Sequence, residues 1–207
     1  MSVVIETTHV LERVDLELRS GQAMGLVGAN GSGKTTVLQV LATLRRPRTG
    51  SGEVLGADLS RSVAAQVRRQ ICLVGHQPAL YPQLSLRENL RFVAALLGRG
   101  DAVVESALET VGLLRAADRR ADRCSQGMRR RADLARVLIG EPRLLLLDEA
   151  DSGLDPAARE LVDHLVASVR GRGGAAVVVS HDRERLGGLV DNVVEVRDGR
   201  LVRQVSS

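Results

Sequence analysis

Apolar residues recur along this chain in two rhythms, and the alternation between them predicts its architecture. Short unbroken apolar runs stand at Met24 to Val27, Ile71 to Val74, Leu144 to Leu147 and Ala175 to Val179, the length of strands buried on both faces. Between them the apolar positions fall at helical spacing. One helix is predicted to begin near Lys34 and run through Val37, Leu38, Val40 and Leu41, and others over Ala64 to Arg69, Met128 to Ile139 and Leu161 to Val169. From Ser85 to Ala121 the helical spacing persists with breaks at Gly98 to Asp101 and at Gly112, which predicts a helical insert. The N-terminal part predicts strands at Val3 to Ile5 and Val14 to Leu18, and the Pro and Gly cluster at Pro47 to Gly52 a turn into a short strand at Glu53 to Leu55. VVEVRDGRLVR near the end reads as a hairpin with Asp198-Gly199 as its turn. Short strands separated by helices predict an α/β fold whose mainly parallel sheet is covered by helices on both faces.

Composition narrows the function classes. The 207 residues suit one α/β domain with a core of its own. Two cysteines, Cys72 and Cys124, make no disulfide framework and point to a reducing compartment; without metal-ligand spacing around them they read as small packing residues. No apolar stretch approaches the roughly 20 residues needed to cross a bilayer, and MSVVIETTH lacks the basic then apolar layout of a signal peptide. A soluble, cytoplasmic protein is expected. The formal charge of +4 is spread among arginines interleaved with 25 acids, so a solvated mixed surface is expected and not a nucleic-acid face.

One residue departs from that charge pattern. Of 29 basic residues only Lys34 is a lysine. It sits in GANGSGKTT, where Gly28, Gly33, Lys34 and Thr35 satisfy the P-loop pattern between a predicted strand and a predicted helix. A lysine ammonium on a flexible stem can enter between terminal phosphate oxygens, which the planar arginine fork cannot do as well. The backbone of Gly28, Ala29, Asn30, Gly31, Ser32, Gly33, Lys34, Thr35 and Thr36 is therefore expected to bind the phosphates of ATP with help from the helix N-terminus. The Thr35 hydroxyl is expected to hold Mg2+. A second constellation, LLLLDEADSGLD, is a buried strand ending in two carboxylates. Asp148 is expected at the metal and Glu149 at the attacking water.

Taken with Gln77 after one strand, CSQGMRRR before a helix, Gly153-Leu154-Asp155, and Ser180-His181 after another strand, the whole chain resembles the nucleotide-binding subunit of an ABC transporter. The resemblance implies a P-loop NTPase with an antiparallel β subdomain and an inserted helical subdomain at about 78–127, all within one domain over 1–207. It further implies that Gln77 reaches the metal and water, that His181 is the switch histidine and catalytic along with Glu149 and Gln77, and that Ser125, Gly127 and Asp155 act in trans. Partners implied are a second ATPase subunit, as a homodimer or paired chain, and an integral membrane permease. The location implied is peripheral, on the inner face of the cell membrane. Within the family, VGHQPALYPQLSLRENLRF with the S-x-G-M signature resembles the ATPase of the haem exporter of cytochrome c biogenesis, though drug, lipid and polysaccharide exporters share much of that region.

Several positions depart from the family pattern. No aromatic precedes the P-loop to stack on adenine, and Ile5 falls near that position. Since base stacking is worth on the order of 1 to 3 kcal/mol, weaker or less base-selective binding is expected. Gln126 stands for a signature glycine, Met128 for a glutamine, and Ala150 for the usual proline after Glu149. Of the two aromatic residues, Tyr81 is expected to contact the permease and Phe92 to lie in the core. A non-transport ABC ATPase acting on DNA or ribosomes, and a binding-only regulatory subunit, remain as other readings. DEAD at 148–151 lacks companion helicase motifs.

Overall fold

The computed structural model describes residues 3–5, 8–149 and 156–203, and the side chains of 11–149 and 158–202. Strands β1 (Val3–Ile5) and β2 (Thr8–Leu11) pair antiparallel. The strand β3 (Ala23–Val27) leads through the glycine-rich loop to helix α1 (Lys34–Leu41). A second small antiparallel pair, β4 (Glu53–Val54) and β5 (Ala57–Asp58), turns at Leu55 and Gly56, both at positive φ. Helix α2 (Ala65–Arg68), β6 (Ile71–Val74), α3 (Leu86–Leu96), α4 (Asp101–Thr110) and α5 (Gln126–Gly140) follow. The chain then runs through β7 (Leu144–Asp148), α6 (Pro156–Gly171), β8 (Ala175–Val179), α7 (Arg183–Leu189), and the hairpin β9 (Asn192–Arg197) and β10 (Arg200–Arg203).

Six strands form the main sheet in the order β10-β9-β3-β8-β7-β6, parallel throughout except for the β9-β10 pairing. Because side chains alternate across a strand, each apolar run feeds two cores. Leu144, Leu146, Val177 and Val179 join Leu26, Val37 and Leu38 on one face. Leu145, Leu147, Ala176 and Val178 join Leu134, Val137, Val162 and Val166 on the other. This is the doubly covered parallel sheet expected from the runs. A third core, with Leu86, Leu90, Leu108 and Ile139, holds α3, α4 and α5 together.

Three expectations are corrected. Residues 14–18 join no sheet, although Val14 is buried and Leu16 and Leu18 pack on the first core. The in-out alternation is satisfied, but Arg13 at φ 50 turns the chain out of line with β2. Phe92 is 44% exposed, because the buried face of α3 is Leu86, Asn89, Leu90 and Ala94, and Phe92 lies two residues, or about 200°, from Leu90. Helix α7 was absent from the expected elements. Its two glycines weaken the helical signal, and it forms with an Asp182 side-chain cap on Arg185 N and Leu186 buried beneath it.

Candidate functional site

Strand order decides which loops meet. In the parallel run β3-β8-β7-β6, Leu26 faces Val179, Asp148 faces Val179 across the next pairing, and Val74 faces Leu147. The segments leaving the carboxyl ends of four adjacent strands are therefore the P-loop, Ser180-His181, Asp148-Glu149 and His76-Gln77. That edge is where α/β sheets bind ligands.

The P-loop is built by backbone geometry available to glycine. Gly28 has φ 148, and a Cβ there would meet Val196 O at 2.3 Å and Ser32 Oγ at 2.8 Å. Gly33, in the left-handed region at φ 110, starts α1 without a side-chain cap, leaving the helix N-terminus open toward the loop. Ser32 N donates to Ala29 O at 3.2 Å and closes the loop, with Ala29, Asn30 and Gly31 exposed at its tip. The buried Ser32 Oγ has no hydrogen-bond partner among the described residues. Lys34, 6% exposed, donates from Nζ to Gly28 O at 2.9 Å and Ala29 O at 3.0 Å, so its ammonium lies across the loop. Thr36 is buried beside it, while Thr35 is exposed and turns its hydroxyl to Asp148, donating to Oδ2 at 2.8 Å.

That bond joins the two residues expected at the metal. Their oxygens are hard donors of the kind Mg2+ takes. No group of three or more His, Cys, Asp or Glu that could hold a metal by itself occurs among the described residues. A Mg2+ that takes most of its ligands from water and phosphate needs fewer protein donors. Thr35 and Asp148 fit it, and when bound it would neutralise charge on the terminal phosphates.

Glu149 follows β7 with φ 52, its N-H donating to Val179 O at 3.1 Å. This left-handed residue ends the strand and aims the carboxylate along the edge. His181 Nε2 lies 2.7 Å from Glu149 Oε1, and His76 Nδ1 lies 3.9 Å from Oε2. Glu149 thus stands between histidines from the two segments flanking its own. A carboxylate so placed can accept a proton from water while an imidazole orients it. His76 had escaped notice in the sequence, where its position directly before Gln77 was the available signal.

Gln77 is exposed and borders a cavity of about 410 Å3 with Gln126 and Arg129 from the start of α5. Ser125 caps α5, its Oγ accepting from Met128 N at 3.2 Å, and Gly127 follows in the first turn. The packing partners of α5 are chiefly α3, α4, α6 and β6. The structure therefore brings Gln77, Glu149 and His181 to the P-loop edge and sets Ser125 and Gly127 on a separate helix. Asp155 and Ala150 lie outside the described residues, as does the Ile5 side chain. Both cysteines are free thiols raised by burial, Cys72 to about 11, which suits packing and not nucleophilic chemistry.

Comparison with known proteins gives this site its context. The family model described as ABC transporter matches residues 11–152. The doxorubicin resistance ATP-binding protein DrrA of Mycobacterium tuberculosis is 36% identical over 198 residues, 94% of this chain and 60% of that protein. The cytochrome c biogenesis ATP-binding export protein CcmA of Bordetella bronchiseptica is 42% identical over 170 residues, 81% of this chain and 75% of that protein. The chain thus spans about three fifths of the length of DrrA. A solved structure of an ATP binding subunit of an ABC transporter superposes with a TM-score of 0.87 at 27% identity, covering 97% of this chain and 85% of its own. Matched over more than half its length, the chain belongs to the ABC transporter family.

Proposed function

We propose that this chain binds MgATP at the P-loop edge and hydrolyses it to power export through a separate membrane subunit. The observation that carries the reading is the Thr35 to Asp148 hydrogen bond beside Glu149 and His181. It supports the reading because the residues proposed for phosphate, metal and water meet at one edge. In this reading Lys34 reaches the terminal phosphates, Thr35, Asp148 and Gln77 serve Mg2+, and Glu149 takes the proton of the attacking water. Ser125, Gly127 and Asp155 close on the nucleotide of a second ATPase subunit, with 78–127 as the helical subdomain of a single domain. No helix among the described residues is long and apolar enough to cross a membrane. We place the permease on a separate chain, with this one peripheral on the cytoplasmic face, as the family resemblance implies. Tyr81, 54% exposed and edge-to-face with Phe92 at 5.3 Å between ring centroids, is the anchor for that partner.

For the cargo we favour haem in cytochrome c biogenesis, supported by the GHQP segment and by the 42% identity to the cytochrome c biogenesis relative. Drug export is the second reading, favoured by the doxorubicin resistance relative that covers 94% of the chain. The test is capture of the tagged Glu149→Gln variant with ATP from native membranes, with mass spectrometry of what accompanies it. Cytochrome c assembly proteins with small multi-span subunits are expected. A different permease removes the haem cargo, and ribosomal or DNA-repair proteins without any membrane protein remove transport.

A further inference from the structure

Helix α5 carries a buried charge cluster that the site described above does not use. Asp133 is 0% exposed and Arg130 5%, and Arg136 lies one turn on. Asp133 Oδ1 is 2.8 Å from Arg136 Nε, and Oδ2 is 3.7 Å from an Arg130 guanidinium nitrogen. Charges withdrawn from water are costly unless they are hydrogen-bonded; here those bonds go largely to one backbone segment, while Asp133 Oδ2 has no hydrogen-bond partner among the described residues and only the ion pair to Arg130. Arg136 donates to Leu73 O at 3.1 Å, Arg130 donates to Gly75 O at 2.6 Å and to His76 O at 2.8 Å, and Ala79 N donates to Asp133 Oδ1 at 3.2 Å. Three of these contacts precede Gln77 and one follows it.

The placement of Gln77 is inherited from this clamp. Strand β6 ends at Val74, so the Gly75 and His76 carbonyls have left the sheet ladder, and Arg130 supplies their donors in its place. Gln77 itself is exposed. We propose that Asp133 is a positioning residue for ATP hydrolysis. By ordering Arg130 and Arg136 against the carbonyls before Gln77 and itself accepting from Ala79 N after it, Asp133 fixes the Gln77 backbone at the P-loop edge. It also ties this placement to the helix that begins with Ser125 and Gly127. The inference rests on the role of Gln77 proposed above.

The test is steady-state ATP hydrolysis by the purified full chain in parent, Asp133→Ala, Gln77→Ala and the double variant, each at varied ATP. Displacing a reacting-site group by about 1 Å costs on the order of 10- to 100-fold. Asp133→Ala is therefore expected to lower kcat by about tenfold or more with KM for ATP within about twofold. In the Gln77→Ala background the same substitution is expected to cost less than about twofold, since residues acting through one another do not add. Asp133→Asn keeps an acceptor for Ala79 N and Arg136 and is expected to restore most of kcat, which a purely structural role for the charge would not predict. A parent-like Asp133→Ala, or losses that multiply in the double variant beside an impaired Gln77→Ala, overturns this inference alone. A parent-like Gln77→Ala overturns the role of Gln77 and this inference with it. If Asp133→Ala does not fold, Arg130→Ala, which frees the Gly75 and His76 carbonyls, carries the same expectations, and its parent-like behaviour overturns the proposal.

Discussion

Replacing Gly28 with alanine tests whether the P-loop owes its shape to the strand beside it. The added Cβ would stand 2.3 Å from Val196 O and 2.8 Å from Ser32 Oγ, and real Cβ atoms stay beyond about 3.0 Å. The serine side chain can rotate away, but the carbonyl belongs to β9 in the main sheet and can move only with it. About 0.7 Å must therefore open between β9 and the start of the loop, at a φ of 148 that alanine resists. Strain of this kind costs on the order of 1 to 3 kcal/mol. For a chain of this size each kcal/mol lowers Tm by roughly 2 to 4 °C, so a drop of about 2 to 12 °C is expected in scanning calorimetry. The loop is the softer side of the contact, so part of the displacement falls on the phosphate-binding amides. An ATP affinity loss of about 10- to 100-fold, measured by competition with a fluorescent nucleotide, is expected. A variant that melts within about 1 °C of the parent and binds ATP within about twofold would refute the close approach of loop and strand.

Four further outcomes are expected. His181→Ala removes the imidazole 2.7 Å from Glu149, and kcat should fall by at least about 100-fold while ATP binding by equilibrium dialysis stays near parental. Thr35→Val deletes the hydroxyl bonded to Asp148, and the Mg2+ concentration for half-maximal turnover should rise about 10- to 100-fold. Asn89, 3% exposed, accepts from Tyr81 N and donates to Tyr81 O, Leu84 O and Ser85 O, so Asn89→Ala should lose about 2 to 4 kcal/mol in urea unfolding. If the proposed membrane subunit docks on Tyr81, Tyr81→Ala should weaken its capture in a pull-down and leave ATP affinity unchanged, because the ring is exposed and touches Phe92 instead of the P-loop.

Periodicity revealed the sheet because buried parallel strands need apolar side chains on both faces, and Leu144 to Leu147 and Ala175 to Val179 have little else. The strand-to-helix turn at Gly28 to Gly33 and the strand end at Asp148-Glu149 were equally legible, since glycines and carboxylates directly after buried apolar runs stand out in the sequence. Residues 14–18 misled because their alternation is a property of burial, while strand identity depends on a hydrogen-bonding neighbour set by the turn at Arg13. Phe92 misled because it shares a helical face with the apolar Leu96, and that face is itself exposed, Leu96 at 55%. The Arg130, Asp133 and Arg136 cluster left a readable trace that went unused, a carboxylate at a helix position flanked by Ala132, Leu134 and Ala135, all buried. Its partners, the carbonyls of Leu73, Gly75 and His76 and the N-H of Ala79, are backbone groups 54 to 63 residues away, and no side-chain pattern encodes those.

Glu149 shows why neighbouring strands matter more here than neighbouring residues. Its left-handed backbone would be unfavourable for a glutamate in isolation, yet its N-H is held by Val179 O on the next strand. The same pairing that fixes this backbone carries the chain on to His181, so the strain and its use have one cause. If β8 slid by one residue against β7, His181 would leave Glu149 and Val179 O would leave its N-H together. Both faces of Ala175 to Val179 are apolar, so polarity does not oppose that slip; side-chain volume does, because a one-residue shift would exchange alanine and valine positions between two close-packed cores. Apolar packing several residues from the chemistry therefore sets the distance between the carboxylate and its imidazole.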